Sequence, residues 1–250
     1  MTRTTAPSEP TPETSKKPAP LSILICTPCL GDPKTGMAWS VARAMAYFMS
    51  LPYAGEKSID WEIVKGSILP EVRTRLVSQA VARGATHILW WDADIKAPKD
   101  AVTQLYNHGL PVVGANYPTK EMTSRPTAYA DNDSYVGPLW TTAKDEGVVE
   151  VAHMGMGLML CDIRVFDMID LPFFNFEPLA PDFVKHVGED VYFCRKLREK
   201  GMSLFVDHKL SQQVAHIGDF EYTNWFAETA EQTKQKLYRD VSPATDAAAA

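Results

Sequence analysis

Three features are scarce in this 250-residue sequence, and each scarcity excludes a class of protein. The four cysteines, at positions 26, 29, 161 and 194, are too few and too scattered for a disulfide framework. No apolar run approaches the roughly 20 residues that cross a membrane. Basic residues do not dominate, because 25 Lys and Arg stand against 31 Asp and Glu. The resulting net charge of −6 argues against sequence-independent binding of nucleic acid.

The remaining composition, 45% apolar and 22% charged, is typical of a soluble globular chain. The proline-rich residues 1–20 predict a disordered tail, residues 21–241 one folded domain, and residues 242–250 a frayed end. Because no secretory signal is recognisable, we expect a cytoplasmic protein, with peripheral attachment to a membrane surface as a variant.

Apolar runs alternate with helical patterns through residues 21–115. The predicted strands span 21–26, 61–65, 87–91 and 111–115, and the predicted helices between them span 36–51, 71–83 and 99–107. This alternation is typical of an α/β fold, in which helices flank both faces of a mostly parallel sheet.

The second half of the chain is less regular. Residues 117–150 are rich in Pro, Thr, Asp and Tyr, and we interpret them as a long excursion that contains a short hairpin. Residues 151–163 are strand-like, a helix is predicted over 190–200 and a strand over 202–206. A final helix over 221–238 is expected to pack across the outside of the sheet.

Asp92 and Asp94 directly follow the third predicted strand. Ligands of an open parallel sheet bind beyond the carboxyl ends of its strands, so these carboxylates stand where a ligand would sit. Two hard oxygen donors in this pattern can hold Mg²⁺ or Mn²⁺ together with diphosphate oxygens. The competing interpretation is a polar turn that caps the next helix.

Glu189 and Asp190 open the helix over 190–200. Acidic residues at a helix N-terminus are favoured by the helix dipole without any catalytic purpose. Yet a carboxylate that is fixed at a helix start and faces a cleft also suits a general base. His216 is a third candidate, since imidazole is a good further ligand for Mn²⁺ at Asp94, although a lone histidine is more often a surface or capping residue.

Several segments, taken in order, resemble family 2 glycosyltransferases of the GT-A fold, of the phage and bacterial type. The likeness covers about residues 21–218 and comprises the segments Ile88–Ile95, Val113–Pro118, Gly155–Leu160 and Gly188–Gly201. The resemblance implies a GT-A-like (Rossmann-like) sheet, a nucleotide-diphosphate-sugar donor such as a UDP-sugar, a divalent metal and an inverting transfer to an acceptor hydroxyl.

The resemblance also implies residue roles. Asp94 would bind Mn²⁺ or Mg²⁺ directly, Asp92 would lie nearer the ribose or metal-bound water, and His216 would complete the metal site. Asp190 would take the acceptor's proton, with Glu189 as the alternative base.

Two segments bear on nucleotide binding. Thr27 and Pro28 begin the segment that replaces the family's usual Pro-x-Tyr-Asn opening, and they are candidate nucleotide contacts. Arg73 and Arg75 are candidate phosphate ligands, because a guanidinium pairs bidentately with phosphate, although a solvated helix face explains them equally well.

Two other functions compete with a glycosyltransferase. A nucleotidyltransferase-like enzyme would share the sheet and the acidic pair, but it normally has a Gly-rich basic loop after the first strand. A non-catalytic sugar-nucleotide or glycan-binding module would not need Asp92, Asp94, Glu189 and Asp190 all intact. The sequence leaves the acceptor open among a glycan, a lipid head group, a protein and a modified DNA base.

Overall fold

The computed structural model describes residues 19–121, 123–132, 135–179, 182–218 and 221–241. The predicted tail and the predicted frayed end therefore lie almost wholly outside the described residues. The strands are β1 (Leu21–Cys29), β2 (Lys57–Lys65), β3 (His87–Trp91), β4 (Ile95–Lys96), β5 (Val112–Gly114), β6 (Tyr129–Asn132), β7 (Tyr135–Pro138), β8 (Val148–Val151), β9 (Leu158–Asp162), β10 (Glu177–Leu179), β11 (Asp182–Val187), β12 (Leu204–Asp207), β13 (Ala215–Ile217) and β14 (Glu221–Thr223). The helices are α1 (Thr35–Ser50), α2 (Leu69–Ala82), α3 (Ala101–Asn107), α4 (Glu189–Glu199), α5 (His208–Ser211) and α6 (Asn224–Val241).

The central sheet has seven strands in the order β2-β1-β3-β9-β5-β12-β8. Strands β1, β2, β3, β5 and β12 run parallel, whereas β9 and β8 run against them. Since β3 and β5 point the same way, their carboxyl ends open on the same edge of the sheet. The expected α/β fold with a mostly parallel sheet flanked by helices is confirmed.

Two apolar clusters cover the two faces of the sheet. The side chains of β1 alternate between them: Leu24 and Cys26 pack on the face covered by α2 and α4, whereas Ile23 and Ile25 pack on the face covered by α1 and α3. This alternation follows from the two-residue period of a strand, and it explains why β1 is apolar at nearly every position.

The later strands differ most from the prediction. The strands β3 and β5 follow one another in the predicted order, but they are not neighbours in the sheet. The antiparallel β9, which comes later in the chain, lies between them. The short hairpin expected within 117–150 is confirmed as β6 and β7. The last helix, predicted to start at about residue 221, begins three residues later at Asn224, because residues 221–223 pair with β13 as β14.

Two smaller assemblies complete the fold. The sheet β14-β13-β4 sits at the end of β3, and the hairpin of β10 and β11 leads into α4. Both therefore stand beside the carboxyl edge of the central sheet. None of the helices within the described ranges has the length and apolarity needed to cross a membrane.

Candidate active site at the carboxyl edge of the sheet

The Asp92-Ala93-Asp94 turn closes the carboxyl end of β3 and leads at once into β4. The buried Trp91 donates its indole N–H to the carbonyl of Ile95 (2.8 Å), and the amide of Ile95 donates to the carbonyl of Asp92 (3.1 Å). These bonds fold the chain back within four residues, so both carboxylates leave the turn at the edge where ligands of such sheets bind. The predicted position of both residues, directly after the third strand, is confirmed.

Arg73 projects from α2 and lies between two carboxylates. The residue is 2% exposed, and it donates from Nε to Oε1 of Glu189 (3.2 Å) and from Nη2 to Oδ1 of Asp92 (3.1 Å). Burial opposes the charge of Arg73, but Asp92 and Glu189 outweigh that effect and raise its pKa. We call Arg73, Asp92 and Glu189 the Arg73 cluster; it joins β3 to the starts of two helices.

One nitrogen of the Arg73 guanidinium takes no part in the two ion pairs of the Arg73 cluster. Among the described residues, Nη1 of Arg73 is buried and has no hydrogen-bond partner. The guanidinium also lies 5.2 Å from the ring centroid of Trp90 on β3, which holds it against the sheet. Arg73 is therefore a fixed internal cation, and it reaches the predicted ligand site through Asp92.

The two carboxylates at the start of α4 differ in their surroundings. Glu189 is buried and bound to Arg73, whereas Asp190 accepts a hydrogen bond from the amide of Val191 (2.7 Å). Burial raises the pKa of Asp190, against the lowering effects of that amide and of Arg73. A Cβ at residue 188 would lie 2.6 Å from Oδ1 of Asp190, so Gly188 leaves the space that this carboxylate occupies.

His216 reaches Asp94 because β13 pairs with β4, which places His216 opposite Ile95. Its Nε2 lies 3.4 Å from Oδ1 of Asp94. Its Nδ1 lies 3.0 Å from the carbonyl oxygen of Pro118, which only accepts, so Nδ1 bears a proton. Nε2 is thus the nitrogen that faces the carboxylate, and a proton or a cation between the two atoms makes their contact attractive.

Lys120 is the second partner of Asp94. Its Nζ donates to Oδ2, while His216 faces Oδ1. Burial works to raise the pKa of Asp94, but the hydrogen bonds from His216 and Lys120 outweigh it and lower the pKa to about 2. Asp94 is therefore ionised at neutral pH. We call Asp94, Lys120 and His216 the Asp94 cluster.

The sequence reasoning missed Lys120 and Tyr117, which both follow β5. The hydroxyl of Tyr117 accepts a hydrogen bond from the amide of Gly157 (2.7 Å), and a Cβ on Gly155 or Gly157 would lie 2.5 Å from it. Burial, together with the charges of Asp92 and Asp190, raises the pKa of Tyr117 well above its usual value. The one signal that could have found them was their position in the chain. Residues that follow β5 lie at the same carboxyl edge of the sheet as residues that follow β3.

The remaining predicted contacts are placed differently from the two clusters. Thr27 and Pro28 are buried inside β1, and the Thr27 hydroxyl donates to the carbonyl of Trp91 (2.8 Å) and accepts from the indole N–H of Trp61 (2.9 Å). Arg75 is exposed, two residues beyond Arg73 on α2. Thr27 thus supports the strand that precedes the Asp92-Ala93-Asp94 turn, and direct nucleotide contacts by Thr27, Pro28 and Arg75 stay predictions.

Asp94 and His216 offer donor atoms for a metal ion that takes the rest of its coordination from a bound substrate. Within the described ranges, no group of three or more His, Cys, Asp and Glu side chains is arranged to hold a metal ion. Asp94 and His216 do offer one oxygen and one nitrogen 3.4 Å apart, and two ligands of one ion at about 2.1 Å each lie no more than about 4.2 Å apart. A histidine that binds a metal usually donates its other N–H to a carbonyl or carboxylate, as Nδ1 of His216 does to Pro118. Mg²⁺ usually binds through one or two carboxylates plus substrate phosphates, so a site with few protein ligands is compatible with this ion.

Comparisons with known proteins support the fold. No protein-family model matches the chain, and no curated protein matches it in sequence. Among solved structures, A197 from STIV aligns with a TM-score of 0.52 and 17% identity over 80% of this chain and 86% of that one. The apo form of UDP-glucose pyrophosphorylase aligns at a TM-score of 0.41 and 9% identity over 88% of this chain and 100% of that one. This similarity is too low to support any conclusion about fold or function. The likeness to A197 supports the Rossmann-like α/β class of the fold and says nothing about activity.

Proposed function

We propose that this chain is a metal-dependent glycosyltransferase that moves a sugar from a nucleotide-diphosphate donor, such as a UDP-sugar, to an acceptor hydroxyl with inversion. The observation that carries the proposal is the Asp92-Ala93-Asp94 turn, whose two carboxylates face two different sets of charges at the ligand-binding edge of the sheet. A polar turn that served only to cap a helix would need neither set.

The Asp94 cluster forms the diphosphate side of the proposed site. Asp94 and His216 would hold Mn²⁺ or Mg²⁺, which supplies a Lewis acid that neutralises the diphosphate leaving group. The pKa of Asp94 is lowered, so its carboxylate is charged at any physiological pH. The Nδ1–H of His216, bound to the Pro118 carbonyl, keeps Nε2 directed at the same place.

The Arg73 cluster forms the sugar side of the proposed site. Arg73 fixes Asp92 from behind through Oδ1, and the side chain of Asp92 is still 28% exposed, which leaves it able to meet a ribose hydroxyl. In this arrangement Arg73 acts on the site through Asp92, and a direct contact of Arg73 with phosphate stays a prediction.

Asp190 is the better candidate for the base of the reaction. Glu189 has its carboxylate committed to the buried Arg73, whereas Asp190 is bound by one backbone amide and is less deeply buried. A raised pKa makes a carboxylate a stronger proton acceptor, and the buried surroundings of Asp190 raise its pKa. In the proposed reaction Asp190 takes the proton of the acceptor hydroxyl as that oxygen bonds to the anomeric carbon and the nucleoside diphosphate leaves.

A donor screen tests this function. The purified chain is incubated with nucleotide-diphosphate sugars, alone and with a panel of glycan, lipid, protein and DNA acceptors, and released nucleoside diphosphate is measured in Mn²⁺ and in EDTA. We expect release from one donor class, dependent on metal and on Asp190. Release of pyrophosphate from a nucleoside triphosphate and a sugar phosphate would indicate a nucleotidyltransferase instead, and binding of donor without any turnover would indicate a binding module.

A further inference from the structure

Lys120 places a fixed positive charge on the carboxylate to which the proposed metal ion would bind. Its Nζ bonds to Oδ2 of Asp94, and His216 faces the other oxygen at 3.4 Å. Each oxygen of Asp94 therefore already has a partner. A divalent ion that binds Asp94 meets a carboxylate whose charge Lys120 has largely neutralised.

The backbone that carries Lys120 is tied into a closed turn. The amide of Thr119 donates to the carbonyl of Arg125 (2.8 Å), and the hydroxyl of Ser124 donates to the carbonyl of Thr119 (2.7 Å). Pro118 and Pro126 form an isolated antiparallel β-bridge at the base of this turn. Lys120 is thus delivered to Asp94 by the fold and is not a surface lysine that happens to lie near it.

Gly218 leaves space for the stem of Lys120. A Cβ on Gly218 would lie 3.2 Å from Cδ and 3.6 Å from Cγ of Lys120. The lysine methylenes therefore run across the glycine on their way to Asp94. The ammonium at the end of this stem stays partly open to solvent, because 36% of the Lys120 side chain is exposed, and rotation of its last bonds can carry the charge to another anion nearby.

We propose that Lys120 is a tethered cation that competes with the divalent metal for Asp94 and transfers to the donor diphosphate when donor and metal bind together. This inference rests on the proposed function. A dication and an ammonium repel each other when they share one carboxylate, so the metal alone binds weakly. A diphosphate adds enough negative charge to hold both cations, so metal and nucleotide strengthen each other's binding.

The test is a pair of calorimetric titrations on the full chain, one with MnCl₂ alone and one with UDP in saturating Mn²⁺. Lys120→Met removes the competing charge, so we expect it to bind Mn²⁺ alone about tenfold more tightly than the unaltered protein does. The same variant loses a diphosphate partner, so we expect it to bind UDP in Mn²⁺ about tenfold less tightly. A residue with a purely structural role would weaken both titrations.

Two controls separate the position of the charge from its presence. Lys96→Met removes the same charge from β4, two residues beyond Asp94, where Lys96 pairs with Glu221 at 2.7 Å, and it should leave both titrations within about twofold of the unaltered protein. Lys120→Arg keeps the charge and should resemble the unaltered protein more closely than Lys120→Met does. Lys120→Gln repeats the test with a polar side chain if Lys120→Met folds poorly.

The inference is overturned if Lys120→Met and Lys120→Gln bind Mn²⁺ alone no more tightly than the unaltered protein. It is also overturned if both variants gain Mn²⁺ affinity and keep full affinity for UDP, because the ammonium would then not move to the diphosphate. Failure of the proposed function looks different. In that case no nucleotide-diphosphate sugar is consumed by the unaltered protein, whatever the Mn²⁺ titrations show.

Discussion

The two carboxylates of the Asp92-Ala93-Asp94 turn stand two residues apart and have opposite surroundings. Asp92 shares Arg73 with Glu189, and its burial, with the charges of Asp94 and Glu189, raises its pKa in spite of Arg73. Asp94 has two cationic or proton-bearing partners of its own, and its pKa is lowered to about 2. One short motif therefore holds one carboxylate that a buried arginine fixes and one that Lys120 and His216 keep strongly charged.

The Arg73 cluster and the Asp94 cluster also differ in their cations. Arg73 is 2% exposed and makes two ion pairs through a rigid guanidinium, whereas the side chain of Lys120 is 36% exposed and ends in a rotatable ammonium. A buried cation that is removed leaves its partners unpaired, but a half-exposed one is replaced by water or by another cation. The comparison fits the proposal that Lys120 in the second cluster changes partners during binding, whereas Arg73 in the first cluster does not.

The largest effect is expected from a substitution that breaks the Arg73 cluster. Arg73→Met leaves Asp92 and Glu189 without their shared counter-charge, so we expect a loss of about 3 kcal/mol or more in the free energy of unfolding in urea at pH 7. Arg75→Met, on the exposed face of α2, removes the same charge and should stay within about 0.5 kcal/mol. Equal effects of the two variants would contradict the structural role assigned to Arg73.

The next effect concerns catalysis at the start of α4. Asp190→Asn keeps the shape of the side chain but removes the proposed base, so we expect turnover to fall about 10²-fold or more while the affinity for UDP stays nearly unchanged. Glu189→Gln should instead lower stability through its contact with Arg73. If Glu189→Gln is stable and abolishes turnover while Asp190→Asn is active, the base is Glu189.

A smaller effect tests the charge of Asp94. Its folded-state pKa, about 2, lies below the ordinary value of 3.8, so its ionised form stabilises the fold above pH 3.8 and the contribution is lost as the pH falls through about 2. Asp94→Asn should therefore cost at most about 2 kcal/mol at pH 7, reduced by the partial exposure of the site, and the deficit should shrink on acidification. Urea unfolding at pH 7, 4 and 3 measures it. A deficit that is constant with pH would contradict the ion-pair origin.

The smallest effect has the opposite sign. Burial raises the pKa of Asp190 above its ordinary value of 3.8, so its stabilising contribution is fully present below pH 3.8 and is lost as the pH rises through the folded-state pKa. Asp190→Asn should thus gain stability relative to the unaltered protein as the pH rises from 3.8 to 7, a range in which the deficit of Asp94→Asn stays nearly constant. Thermal or urea unfolding across this range checks the difference. Parallel curves for the two variants would remove the contrast between the two sides of the turn.

Local patterns predicted the elements around the site well. The strand over 87–91 matches β3, since five residues, four of them buried, between a glycine-ended helix and two aspartates leave little choice of boundary. The strand predicted over 21–26 extends to Cys29, which draws Thr27 and Pro28 into β1, because pairing with β2 continues past the proline. Residues 221–223 were predicted as helix because their local composition permits it, and they are a strand because β13 offers an edge to pair with.

The sequence by itself determined that an acidic pair follows a buried strand and that a second acidic pair opens a helix, because hydrophobic periodicity and capping residues act over a few neighbouring positions. Only the tertiary structure decided which carboxylate meets which cation. Arg73 and Glu189 are 116 positions apart in the chain, and Lys120 and Asp94 are 26 apart. Their contacts depend on strand order, in which the antiparallel β9 lies between β3 and β5, and on the pairing of β13 with β4. Such long-range pairings result from the packing of the whole sheet, and no local pattern encodes them.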